Sequence, residues 1–358
     1  MTSLQAPLAV GDLRLPNRVV MAPLTRARAG VERVPNALMA EYYRQRASAG
    51  LIISEATSVT PQGVGYAETP GIWSAAQVAG WRLVTDAVHQ AGGRIVLQLW
   101  HVGRISHPSF LNGAVPVAPS AIAPRGNVSL IRPPTAFVTP RALARSELPG
   151  VIAGYRLGAE NAERAGFDGV EIHGANGYLL DQFLQDGSNH RTDDYGGPIE
   201  NRARLMFEAV DAAIGVWGAG RVGLHLAPRG DSHDMHDTDR LATFGHVARQ
   251  AKTRRLAFLC AREHTGPGRI GPQLKALFGG VYIGNEKFTG ESATRAIAAR
   301  EVDAVAFGKA FIANPDLPRR LREGAALNAP DTSTFYAPGA KGYTDYPALP
   351  VAVASASA

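Results

Sequence analysis

The sequence predicts an α/β fold: a (β/α)8 TIM barrel with an N-terminal hairpin plug and a long capping excursion after strand 3. Three observations predict it. Short β-rich runs alternate with amphipathic segments about eight times along 358 residues, the pattern of strand–helix units wound into a barrel. Most of those runs are apolar on both faces, as parallel strands covered by helices must be. No run is followed by a glycine-rich dinucleotide turn, which disfavours a doubly wound open sheet.

Taken in order, the opening LAVGDLRLPN alternates around Gly11-Asp12 and reads as a hairpin plugging one end of the barrel. The strands follow at 18–23 (RVVMAP), 51–56 (LIISEA), 94–100 (RIVLQLW) and 169–173 (GVEIH), then at 222–227 (VGLHLA), 256–261 (LAFLCA), 281–285 (VYIGN) and 303–308 (DAVAFG). Helices are predicted over 36–49, 76–91, 148–165, 201–217, 238–254, 272–278, 290–300 and 314–323. Residues 101–147 are rich in Pro, Gly, Ser and Asn, and a segment that long is functional rather than slack in a compact barrel. It reads as an excursion from the third βα loop over the barrel mouth. The low-complexity end at 351–358 reads as disordered, which leaves 1–350 as one expected domain.

Composition narrows the function. With 45% apolar residues the chain can bury a large core, and with 19% charged residues it has no stretch that looks able to cross a bilayer. The start lacks a basic flank followed by an apolar core, so no secretory signal is expected. The one cysteine, Cys260, excludes an intramolecular disulfide and fits a reducing cytoplasm; within LAFLCA it reads as a small buried side chain. The net charge of +6 is scattered, and Arg254-Arg255 and Arg319-Arg320 fall at helix ends, where the dipole favours cations. No aromatic–basic stripe accompanies them, so no nucleic-acid partner is expected. His233, Asp234, His236 and Asp237 share a loop but lack zinc-like spacing, and no metal is expected.

Reactive residues of such barrels cluster at the carboxyl ends of the strands. The most informative stretch is GVEIHGANGYLLDQF at 169–183, where an apolar strand breaks at Gly174 into turn-forming residues. His173 and Asn176 can both donate to one carbonyl oxygen and take up charge developing on it. Tyr178 adds a transferable proton. For this triplet alone, a strand end with a capping Asn and a half-buried Tyr is an equal reading. Other strand ends carry Pro23, Leu24 and Thr25, Ala56, Gln98 and Trp100, Gly284 and Asn285, and Gly308 and Lys309. The last two strands form the common phosphate corner of these barrels. No paired catalytic carboxylates are evident, a set that suits a redox cofactor better than hydrolysis.

Motifs then accumulate: NRVVMAPLTRARA at 17–29, SEATSVTPQGVGY at 54–66, QLWHVGR at 98–104, EIHGANGYLLDQFL at 171–184, NHRTDDYGG at 189–197, ENRARLMFEAVDA at 200–212, DAVAFGKAFIANPDL at 303–317 and GYTDYP at 342–347. In this order and at these intervals the chain resembles the Old Yellow Enzyme family of FMN-dependent ene-reductases, N-ethylmaleimide reductase among them. The resemblance implies an NAD(P)H-dependent enzyme that reduces the activated C=C bond of enones, enals or maleimides; monomer and homodimer are both compatible with the sequence. It implies that Thr25, Gln98, Pro23, Leu24, Ala56 and His225 meet the flavin ring. Gly284, Asn285, Gly308 and Lys309 would hold its phosphate. His173 and Asn176 would polarise the substrate carbonyl, Tyr178 would protonate the α-carbon, and Tyr66, Trp100, Tyr343 and Phe110 would wall the pocket.

Three positions depart from the family pattern. His225 stands where an Arg is common, so His225, Arg229 or Arg262 is expected to supply the cation beside the flavin. Lys309 replaces a common Arg and trades a bidentate fork for a point charge. Glu286-Lys287 replace small residues, and the Glu286 side chain is expected to point away or to pair with Lys287. Rival readings are nitro-compound or nitrate-ester reduction at the same site, a non-enzymatic flavin-binding barrel, and a barrel hydrolase or aldolase, for which Lys309 is the only strand-end lysine.

Overall fold

A computed structural model of the protein describes residues 3–129, 131–230 and 232–350, so the predicted disordered tail lies outside the described residues. The opening segment forms an antiparallel hairpin, β1 (Leu8–Val10) and β2 (Leu13–Leu15), with Leu8 opposite Leu15. Next come β3 (Val19–Met21), β4 (Leu51–Ile53), the short β5 (Thr57–Ser58) and β6 (Ile95–Trp100). The excursion contributes β7 (Val117–Ala118), paired with β8 (Arg141–Ala142). The chain then runs through β9 (Val170–Gly174), β10 (Val222–Leu226), β11 (Phe258–Arg262), β12 (Val281–Asn285) and β13 (Ala304–Phe307). The parallel order β4-β3-β13-β12-β11-β10-β9-β6 closes through a β4–β6 pairing, which makes an eight-stranded barrel. This is the predicted (β/α)8 class.

Two apolar layers hold it together. Inside the barrel, Val20, Leu51, Ile53, Val96, Phe258, Cys260, Ile283 and Ala304 pack with Val10, Leu13 and Leu15 of the hairpin. The hairpin therefore fills one end: Asp12 N donates to Gly220 O at 2.9 Å, just ahead of β10. Polar chemistry is left to the opposite, carboxyl end. Outside the strands lie α1 (Ala37–Arg44), α2 (Ala75–Gln90), α3 (Leu148–Arg164), α4 (Leu179–Leu184), α5 (Ile199–Arg202), α6 (Arg204–Trp217), α7 (Arg240–Arg254), α8 (Gly271–Phe278), α9 (Gly290–Ala298), α10 (Lys309–Ala313) and α11 (Leu317–Glu323). Their buried faces meet the outward strand residues in one continuous core.

Every predicted strand is present, but the sixth is displaced. It spans Phe258–Arg262 rather than 256–261 because Arg255 closes α7 in the left-handed conformation (φ +55°) and Leu256 N still donates back to Ala251 O. That slip carries Arg262 onto the barrel rim. The short helices α4 and α10 were not predicted. All six residues of α4 are buried, so it has no polar face from which an amphipathic period could be read.

Candidate active site

At the carboxyl end of the barrel lies a cavity of about 600 Å³. Its wall includes Pro23, Leu24, Thr25, Ala56, Gln98, Trp100, His173, Asn176, Tyr178, His225, Arg262, Asn285, Glu286, Lys287, Gly308 and Lys309, with Phe288, Phe335 and Tyr336 beside them. Residues from all eight barrel strands thus converge on one space, where the barrel geometry aims them.

The strand-four group is built by its turn. After β9, Asn176 adopts φ +58° and Gly177 φ +76°, and a Cβ at Gly177 would come within 2.7 Å of Met235. Gly177 N donates to Asp181 Oδ2 at 2.8 Å, and Gln182 Nε2 donates to Gly177 O at 2.7 Å. Burial pushes Asp181 up to about 7. Gln182 also binds Val102 O, so it braces the turn instead of meeting a ligand. His101 is likewise a loop brace, accepting from Gly103 N at Nδ1 and from Leu179 N at its carbonyl.

His173 is buried, its Nδ1 has no hydrogen-bond partner, and burial aided by His225, Arg262 and His233 holds its pKa well below the usual histidine value. The imidazole is therefore neutral, with a polar atom still to be satisfied. Tyr178 stands edge-on to His173 with ring centroids 5.0 Å apart and edge-on to Trp100 at 4.9 Å. Its hydroxyl is 2.8 Å from that of Tyr66. Burial, reinforced by Tyr66, raises the Tyr178 phenol well above its ordinary value, so it keeps its proton near neutrality.

Beneath this group, the buried Glu171 carboxylate accepts from Gln98 Nε2 at 2.6 Å and lies 3.2 Å from His225 Nδ1. Cys260 completes a set of three potential ligand atoms within 4.8 Å of one another, but Gln98 and His225 already satisfy the carboxylate. Burial raises the Cys260 thiol well above its ordinary value. Opposite, Asn285 Nδ2 donates to Ala306 O at 2.8 Å and ties the ends of β12 and β13 together. Lys287 and Lys309 flank that corner, and both are exposed.

Five expectations are corrected. Tyr343 does not wall the cavity: it is fully buried, stacked on Tyr42 at 4.0 Å with the Arg28 guanidinium over its face. Tyr336 and Phe335 stand at the rim in its stead. Phe110, in the short turn Pro108–Phe110, is not part of the wall. Gly284 lies behind it, since a Cβ there would meet Val302 and Phe288. Glu286 pairs with Arg262 at 3.2 Å, not with Lys287. Tyr66 is a second layer, stacked on Trp100 and bonded to Tyr178. Of the three candidate cations, His225 and Arg262 reach the cavity, whereas Arg229 turns toward His264. Phe288 and Tyr336 are among the wall residues that sequence reasoning missed. The adjacent aromatics Phe335-Tyr336 in a Ser/Thr/Pro/Gly-rich stretch were the available signal for the second.

A parallel barrel whose mouth gathers unsatisfied donors, an aromatic wall and two lysines at a strand-end corner has the form of a cofactor-using oxidoreductase. The chain belongs to the NADH:flavin oxidoreductase / NADH oxidase family, whose model matches residues 3–328. Flavin oxidoreductase hxnT of Emericella nidulans is 43% identical over 95% of this chain and 96% of its own length. 12-Oxophytodienoate reductase 1 of Oryza sativa subsp. japonica is 41% identical over 97% and 93%. The solved structure of morphinone reductase in complex with tetrahydroNAD superposes with a TM-score of 0.94 at 49% identity, covering 97% of this chain and 98% of that one. The Old Yellow Enzyme resemblance read from the motifs is borne out, and the chain is an FMN-dependent flavin oxidoreductase with a nicotinamide hydride donor.

Proposed function

We propose that this enzyme reduces the activated C=C bond of α,β-unsaturated carbonyl compounds, namely enones, enals and maleimides. The observation that carries the reading is the strand-four group: a neutral buried His173 with an unpartnered Nδ1, the Asn176 carboxamide and the Tyr178 phenol on one wall of the cavity. Relatives named for reducing 12-oxophytodienoate and morphinone support a substrate with a carbonyl group.

The residues fit a bound FMN. Pro23, Leu24, Thr25, Ala56, Gln98 and His225 would hold the ring, and Asn285, Gly308 and Lys309 its phosphate, with Lys287 adding positive charge. The chemistry supplied by FMN when bound is hydride transfer, taken from NADPH or NADH and delivered to the alkene β-carbon. The protein does the rest. His173 and Asn176 donate to the substrate oxygen and stabilise the negative charge that develops there. Tyr178 keeps its proton until the α-carbon needs it, because burial disfavours the phenolate. Trp100 and Tyr66 hold the Tyr178 ring from the side. Val102 and Ile105, at the start of the excursion, close an apolar cluster with Tyr66 and Trp100 and keep water from that wall.

We place the protein in the cytoplasm as a monomer or homodimer, folded as one barrel domain over 1–350 and without a nucleic-acid partner. In support, no helix among the described residues is long and apolar enough to cross a membrane, and Cys260 is a buried free thiol. Purified protein loaded with FMN should oxidise NADPH or NADH when cyclohexenone or maleimide is added and yield the saturated product. Product recovered with its C=C bond intact would refute the assignment.

A further inference from the structure

The Asn176 carboxamide is held by a neighbour to which the scheme above gives no part. Arg262, the last residue of β11, reaches the cavity wall and donates from Nη1 to Asn176 Oδ1 at 2.9 Å. Its Nη2 donates to Glu286 Oε1 at 3.2 Å. A guanidinium has donors and no acceptor, so the carboxamide must turn its oxygen toward Arg262. The NH2 group is then left for the cavity. The Asn176 main chain is fixed separately, by its φ of +58° and by His233 Nδ1 bonded to its carbonyl at 2.7 Å. Neither contact decides which end of the amide faces the ligand; Arg262 does.

Glu286 strengthens this reading. It occupies φ +86°, a conformation that disfavours any side chain, between Asn285 and the likewise left-handed Lys287. A residue kept in such a conformation invites a functional reason, and here its carboxylate anchors the guanidinium. If Arg262 were lost, that same carboxylate would compete for the Asn176 NH2 and draw it away from the cavity.

We propose that Arg262, braced by Glu286, is a positioning residue for substrate binding that orients the Asn176 carboxamide so that its N–H faces the ligand oxygen. The inference rests on the reading of His173 and Asn176 as the oxygen-binding pair. It joins the β12–β13 corner to the strand-four group through a single side chain.

The test is a binding cycle on the FMN-loaded enzyme, with 4-hydroxybenzaldehyde as the probe and the visible flavin spectrum as the readout. Four proteins are compared: the unaltered enzyme, Arg262→Met, Asn176→Ala and the double variant. Arg262→Met should weaken binding by about five-fold or more, since only part of the population then presents the productive amide face. In the Asn176→Ala background the same change should have almost no further effect, because the group it orients is gone. Equal losses from Arg262→Met in both backgrounds would overturn the proposal and make Arg262 a direct charge contact. Unchanged affinity in Arg262→Met would also overturn it. Unchanged affinity in Asn176→Ala would overturn the oxygen-binding reading itself, and the proposal with it, which separates the two failures. Glu286→Gln leaves Arg262 in place and should produce a smaller loss that likewise vanishes without Asn176; an additive loss would count against the brace.

Discussion

At the residue scale, Tyr178 decides whether this site performs a protonation or only binds. Its hydroxyl sits 2.8 Å from Tyr66 in a buried wall, and burial raises its pKa well above the ordinary phenol value. A phenol in that state serves as a general acid and is of no use as a base near neutrality. Tyr178→Phe removes the proton and keeps the ring, so it should slow alkene reduction by about 10²- to 10⁴-fold, while flavin reduction by NADPH, in which Tyr178 has no part, is preserved. Stopped-flow measurement of the two half-reactions separates them, and matching losses in both would argue for a structural role. His173, Asn176, Thr25, Gln98 and Trp100 were legible because strand ends in a barrel must converge. Tyr343 was misread because a place in the GYTDYP motif does not say which of several C-terminal aromatics turns toward the cavity; the stacking surface of Tyr42 and the Arg28 guanidinium take it into the core. Arg262 was named only as one of three candidate cations, because the strand was expected to end one residue earlier and its place on the wall could not be read.

At the element scale, apolar runs bounded by turns located all eight barrel strands, since buried parallel strands admit little else. The β12–α9 connection was less legible, because side-chain chemistry there conflicts with backbone geometry. Lys287 takes φ +58° and Glu286 φ +86°, where glycine would be at ease. Lys287→Gly should remove that strain and stabilise the FMN-free protein by about 0.5 to 1 kcal/mol. The same change removes a cation from the proposed phosphate corner, so FMN should bind up to about five-fold more weakly. Thermal unfolding of the apoprotein and fluorescence titration with FMN are expected to move in opposite senses. If stability and affinity fall together, Lys287 is held by contacts that outweigh its backbone cost.

For the whole molecule, closing a barrel around an apolar interior forces ionisable groups near the rim to share the low-dielectric environment, and their proton affinities become part of folding stability. Burial pushes both Glu55 and Asp181 up to about 7. The folded state therefore retains two protons that the unfolded chain releases near pH 4, and stability falls as pH rises between those limits. Burial also holds His101 down to about 4 and His173 well below its usual value. The unfolded chain binds protons at those positions below about pH 6.5, so from this source stability rises with pH over nearly the same window. The two pairs oppose each other between about pH 4.5 and 6.5. Asp181→Asn removes one carboxyl contribution, and the variant-minus-parent difference should gain a positive slope of about 1.4 kcal/mol per pH unit in that window. Denaturant unfolding of the two proteins at matched pH values measures this directly. A difference that does not vary with pH would mean that Asp181 is ionised in the folded barrel, and that its bonds from Gly177 and Gln185 suffice to keep the carboxylate charged under the strand-four turn.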